Sequence, residues 1–211
     1  MRIAIFSNDE QRKELLEKGI DNAEIIWFDK QQKNISNVDA CFDLLFDETD
    51  LAKNIFIKEV PVFANAVITT ASQLPKNYVR INAWNGFLKR TIIEVAASNE
   101  IAKENCSNIL SKLERNFVWV PDEPGMIAAR IIVMIINEAY FTLSENISTK
   151  EEIDIAMKLG TNYPYGPFEW SAKIGLQNVY ALLKHLNKKE SRYEIAPLLI
   201  EECKNVMNVK M

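Results

Sequence analysis

Apolar and polar positions change rhythm once along this chain. Up to about residue 120, apolar runs of strand length alternate with polar connections; beyond it, apolar residues recur at helical spacing almost without a break. In the first part Arg2–Ser7 (RIAIFS), Glu24–Asp29, Val38–Phe46, Pro61–Val67, Tyr78–Trp84, Thr91–Ala97 and Asn116–Val120 read as strands. Gln11–Lys18, ended by Gly19, reads as a short polar helix between the first two. Strand, helix, strand at this spacing predicts a parallel, right-handed βαβ start. A second helix is predicted from about Ser98, as N-cap, to Arg115, with Ile101, Cys106, Ile109, Leu110 and Leu113 recurring at helical spacing.

Pro121-Asp122-Glu123-Pro124 interrupts helix and strand alike, so two domains are expected, 1–120 and 121–211. Beyond it Met126–Leu143 is apolar nearly all round, which predicts the central buried helix of the second domain. Ser148 with Glu151 predicts a capping box opening a helix over Thr149–Leu159. The stretch Gly160–Leu176, GTNYPYGPFEWSAKIGL, holds three of the chain's six glycines and two prolines, and predicts a rigid corner. There Gly160 would close the preceding helix in a left-handed conformation and Pro167 would sit in the first turn of the next. Helices over about Leu176–Asn187 and Ile195–Val209 follow.

Composition narrows the classes. A formal charge of −4 and an apolar fraction of 48% describe an ordinary soluble protein, and no basic stripe points to nucleic acid. The longest apolar run, Met126–Ile136, is too short to span a bilayer and is interrupted by Arg130. The chain opens into a strand-like run rather than a signal peptide, so a cytoplasmic protein without membrane association is expected. Cys41, Cys106 and Cys203 are too widely spaced for a disulfide framework or a metal site. Asn34-Ile35-Ser36 and Asn146-Ile147-Ser148 match the glycosylation pattern by chance in such a chain.

The wording of the second half resembles one family. Pro124-Gly125, Arg130, Asn137-Glu138-Ala139, Asp154-Ile155-Ala156-Met157, Gly160, Asn162-Tyr163-Pro164, Gly166-Pro167, Trp170 and Gly175 are similar to the C-terminal domain of 3-hydroxyacyl-CoA dehydrogenases. Arg192-Tyr193 and Pro197-Leu198-Leu199 resemble the ending of the second repeat in two-repeat members. The resemblance implies an α/β plus all-α protein: a reduced Rossmann-like, mostly parallel sheet followed by a helical dimerisation and substrate domain. It implies a homodimer through that domain, a partnership with acyl-CoA or with a complete dehydrogenase, and NAD as cofactor where the family activity is retained.

Position by position, the site implied by the resemblance is altered. Arg90-Thr91-Ile92-Ile93-Glu94-Val95 resembles the segment carrying the family's catalytic Glu, which makes Glu94 that residue and Asn85 the thioester-holding Asn. Asn82 then stands where the family has its His. An amide does not titrate near neutral pH and so is no general acid or base. Thr69, with Thr70, stands in for the Ser that meets the substrate hydroxyl, and Arg130 is a candidate substrate contact whose structural alternative is a bond to neighbouring carbonyls or Glu138. The only histidine, His185, lies far along the helical part.

The turn after the first strand, Ser7-Asn8-Asp9-Glu10, has no glycine and places two carboxylates where a pyrophosphate would sit. Asp29 occupies the place of the ribose-binding acid or simply ends a strand. Lys30–Asn37 leaves room only for a loop where complete members carry a helical insertion. Three functions therefore compete. One is a degenerate member that keeps the fold and a thioester pocket but uses no cofactor. Another is an active NAD-dependent 3-hydroxyacyl-CoA dehydrogenase of fatty-acid or aromatic-acid breakdown. The third is an interaction module.

Overall fold

The computed structural model describes residues 1–18, 20, 22–28, 37–46, 48, 57–58 and 60–208. They form two compact units, Met1–Met126 and Ile127–Met211.

Unit 1 is a seven-stranded sheet: β1 (Arg2–Phe6), β2 (Glu24–Phe28), β3 (Ala40–Asp43), β4 (Val62–Asn65), β5 (Tyr78–Ile81), β6 (Ile92–Ala97) and β7 (Asn116–Trp119) lie in the order β2-β1-β3-β4-β5-β6-β7. All neighbours run parallel except β5 and β6, which are antiparallel. Strand order reverses between β1 and β3, which makes their carboxyl ends the topological switch point of the sheet. Ile3, Ala4 and Ile5 are fully buried, as expected for a central strand covered on both faces.

Helix α1 (Asp9–Lys18) begins two residues before the expected Gln11 because Asn8 caps it. The Asn8 Oδ1 accepts from the Gln11 N–H at 2.8 Å, and the Gln11 Oε1 accepts from the Asn8 N–H at 3.0 Å, a reciprocal capping box. Helix α2 (Glu100–Lys112) is capped by Asn99, one residue after the expected Ser98. It buries Ala102, Cys106, Ile109 and Leu110. Ile101, expected on that stripe, is exposed because five residues separate it from Cys106, about 140° round the helix.

The expected boundary at residue 120 falls inside unit 1, since Pro121–Gly125 is tied into the sheet. Arg80, fully buried on β5, donates to the Asp122 carboxylate at 2.6 Å and to the carbonyls of Ala66, Val67 and Glu123. Asp122 also accepts from the N–H groups of Ala71 and Ser72, and the Gly125 N–H donates to the Val67 carbonyl. A buried guanidinium paired in this way fixes the segment after β7 against the ends of β4 and β5.

Unit 2 contains α3 (Ala128–Ser144), α4 (Lys150–Thr161), α5 (Pro167–Ile174), α6 (Leu176–Asn187) and α7 (Pro197–Asn208). Helix α3 packs on α5, α6 and α7, so it is central as expected, but it is not covered all round: Ile131 is 50% exposed. The capping box of α4 is Thr149 with Glu152, one residue later than the expected Ser148 and Glu151 pair. Its C-terminus also differs. Asn162, not Gly160, takes the left-handed conformation, while Gly160 stays within the helix.

The corner after it is built on Asp154. The Asp154 carboxylate accepts from the N–H groups of Phe168 and Glu169 at 2.8 and 3.1 Å, capping α5 from a neighbouring helix. Gly166 is the N-cap of α5 and Pro167 its first residue. A Cβ at Gly166 would fall on the Asp154 backbone and side chain, closer than real Cβ atoms approach. Gly175, at φ 89°, joins α5 to α6. Among the described residues no helix is long and apolar enough to cross a membrane.

Candidate functional site

The chemistry-bearing residues of unit 1 gather at the end of the sheet where β4 and β5 finish and the antiparallel β6 begins. Asn82 follows β5 directly. Ile81 pairs with Val95 across the antiparallel β5–β6 ladder, so continuing the register by one residue sets Asn82 opposite Glu94. Directly opposite residues in such a pair have Cα atoms about 4.5–5.5 Å apart. Side chains alternate along a strand, which puts Asn82 and Glu94 on the face of Arg80 and Ala96, away from the core residues Val79, Ile81, Ile93 and Val95.

Both side chains are enclosed, Asn82 at 5% exposure and Glu94 at 7%. Glu94 lies 3.8 Å from the Arg90 guanidinium, four residues back. The Asn82 Oδ1 accepts a long bond, 3.3 Å, from the Trp84 N–H, but its Nδ2 is buried without an acceptor. Leaving a buried donor unmade costs about 1–3 kcal/mol. Nearly all buried polar groups have partners, so such an orphan invites one from outside the chain.

Asn85 is held elsewhere. Its Oδ1 accepts from the Asn8 Nδ2 at 3.3 Å, which ties the turn after β5 to the head of α1. That turn is fixed further by Glu14 of α1, whose carboxylate accepts from the Gly86 N–H and, at 3.0 Å, from the Leu88 N–H. Gly86 supplies the positive φ, 97°, that the turn requires.

Next to these ties, Gln11 spans the switch point. Its Nε2 donates to the Leu44 carbonyl after β3 at 2.9 Å and to the Ala83 carbonyl at 2.8 Å. Beyond β4 three successive N–H groups, those of Val67, Ile68 and Thr69, converge on the Glu48 carboxylate at 2.9, 2.6 and 2.6 Å. Thr69 is thus buried with its backbone engaged by Glu48. Burial pushes the Glu14 and Glu48 carboxyls above the usual range, against the opposing pull of their N–H donors.

Of the residues singled out from the sequence, Asn82 and Glu94 come together, Asn85 turns to α1, and Thr69 lies at the end of β4. Arg130 belongs to the first turn of α3 in unit 2, half-buried. His185 is on α6. Asp29, Asn34-Ile35-Ser36 and residues 30–36 of the shortened connection lie outside the described residues. Among the described residues no group of His, Cys, Asp or Glu side chains is arranged to hold a metal ion.

Gln11, Glu14 and Glu48 were not picked out by reading the sequence. Gln11 had a legible signal, Asn8-x-x-Gln11 as a capping box, but its carbonyl partners lie 33 and 72 residues away. Glu48 stood in no motif.

A family model described as "3-hydroxyacyl-CoA dehydrogenase, C-terminal domain" matches residues 125–206. The chain is similar to the 3-hydroxyadipyl-CoA dehydrogenase of Escherichia coli K12, with 37% identity over 52% of this chain and 23% of that protein. It is also similar to a 3-hydroxybutyryl-CoA dehydrogenase of Bradyrhizobium diazoefficiens, with 30% identity over 64% of this chain and 47% of that protein. The chain therefore covers less than half the length of either curated relative. The crystal structure of a (S)-3-hydroxybutyryl-CoA dehydrogenase from Ralstonia eutropha shares the fold, with a TM-score of 0.67 at 18% identity over 95% of this chain and 92% of that one.

Proposed function

Since the chain belongs to the 3-hydroxyacyl-CoA dehydrogenase family, we propose that it is a member that keeps the family fold and an acyl-CoA thioester site without catalysing NAD-dependent oxidation. One observation carries this reading: Asn82, where the resemblance puts the catalytic His, is buried with an unpartnered amide donor opposite Glu94. An amide N–H donates to a carbonyl oxygen as an imidazole N–H does, so a thioester or 3-oxo oxygen supplies what Asn82 lacks. It takes up no proton at neutral pH, so the 3-hydroxyl meets no general base there. Glu94 keeps the position of a residue whose family role is to orient an imidazole, and in this chain no imidazole adjoins it in sequence.

Calorimetric titration with acetoacetyl-CoA tests the proposal. Saturable binding is expected, weakened about tenfold by Asn82→Ala through the loss of one hydrogen bond. Absence of binding at millimolar ligand, or equal binding by the variant, would remove the thioester site.

Unit 2 also supports a homodimer, or pairing with a complete dehydrogenase through the same helices. Ile131 of α3 and Ile155 and Leu159 of α4 are 50%, 53% and 83% exposed, apolar positions that such a contact would cover. Light scattering at low concentration reads the homodimer directly.

A further inference from the structure

We infer that unit 1 has closed its own dinucleotide crevice, with side chains of the protein standing where a bound pyrophosphate and nucleotide would be held. A dinucleotide at a switch point needs free N–H donors at the head of the helix after the first strand, and a backbone stripped of side chains so that phosphate can approach. At α1 two of those donors are spoken for. The Asn8 Oδ1 takes the Gln11 N–H, the Gln11 Oε1 takes the Asn8 N–H, and Asp9 and Glu10 add two carboxylates to the first turn.

The crevice is bridged as well. Gln11, 3% exposed, reaches from α1 to the Leu44 and Ala83 carbonyls, and Asn65 at the end of β4 donates to the same Leu44 carbonyl and accepts from the Ala83 N–H. On the β4 side the three N–H groups of Val67–Thr69, a ready cradle for an anion, already hold the Glu48 carboxylate. A dinucleotide would have to displace these groups and leave the Leu44 and Ala83 carbonyls without their donor, a loss its own contacts would first have to offset.

The closure has a signature that simple loss of a glycine loop lacks. Residues that serve a ligand tend to be neutral or even stabilising to replace, whereas residues of a polar seal hold the fold. Gln11 and Glu48 therefore belong to the stability of unit 1. This inference does not rest on the thioester reading: it concerns a different ligand, and acetoacetyl-CoA titrated in parallel succeeds or fails on its own.

The test is a titration of the full chain with NADH and with ADP-ribose, followed by tryptophan energy transfer and calorimetry, alongside thermal melts of Gln11→Ala. No saturable binding of either nucleotide at millimolar concentration, with Gln11→Ala melting several degrees lower, is the expected result. Saturable micromolar binding of NADH or ADP-ribose by the unmodified protein would overturn it. So would Gln11→Ala melting at or above the unmodified protein. If Gln11→Ala does not yield folded protein, Glu48→Gln supplies the same readout with a smaller perturbation.

Discussion

The corner of unit 2 and the strand ends of unit 1 are both dense in polar side chains bonded to backbone, yet they carry opposite kinds of information. In and around the corner several recognisable residues have a structural reason: Asp154 caps α5, Gly166 makes room for Asp154, and on α3 the Asn137 amide bonds the Glu194 carbonyl and the Ala196 N–H ahead of α7. At the strand ends the turn after β1 has no glycine, and Asn8, Gln11, Glu14 and Glu48 bond to the protein itself. The resemblance is therefore dense where the residues build architecture, and sparse where they would do chemistry. A family signature of this kind guarantees a fold and says little about a reaction.

The comparison is broken most severely at Gly166. Gly166→Ala forces a Cβ into Asp154, so a loss of about 2–4 kcal/mol of stability is expected from overpacking and a damaged cap, read by urea denaturation. Six residues earlier the expectation reverses. Gly160 lies within α4 with open space where a Cβ would go, so Gly160→Ala should stabilise by about 0.5–1 kcal/mol. Similar losses at both positions would show that the corner is not built on Asp154.

A smaller effect sharpens the other side. Burial raises the folded pKa of Glu48 above its unfolded value near 4.5, so the folded state takes up its proton first as pH falls. Lowering pH from neutral toward 4.5 then gives the unmodified protein stability that Glu48→Gln does not gain. The gap in melting midpoint between the two should widen over that range. A gap independent of pH would mean that Glu48 is not the enclosed carboxylate described.

Much of the fold was legible in advance, since buried parallel strands and amphipathic helices write their periods into the chain. Helix starts differ by one residue where equivalent caps adjoin, Ser98 with Asn99 and Ser148 with Thr149, because only side-chain direction chooses between them. Gly160 lost its expected role to Asn162, which tolerates the left-handed conformation two residues later. The domain boundary moved to Met126 because Arg80 reaches Asp122 from 42 residues away. In the site, Asn82 and Glu94 were reachable through the resemblance, and the antiparallel register sets them opposite each other. The groups that close the crevice were not, because Gln11 and Glu48 act through carbonyls and N–H groups distant in sequence, and backbone partners leave no residue-type signal.

The most direct measurement is the rate of acetoacetyl-CoA reduction by NADH in the Asn82→His variant, with folding checked by circular dichroism. Restoring the imidazole opposite Glu94 returns the missing base but leaves the nucleotide crevice closed, so no turnover above the unmodified protein is expected. Turnover at a rate typical of dehydrogenases would show that the crevice opens to the cofactor and that the loss of one histidine is the whole of the difference.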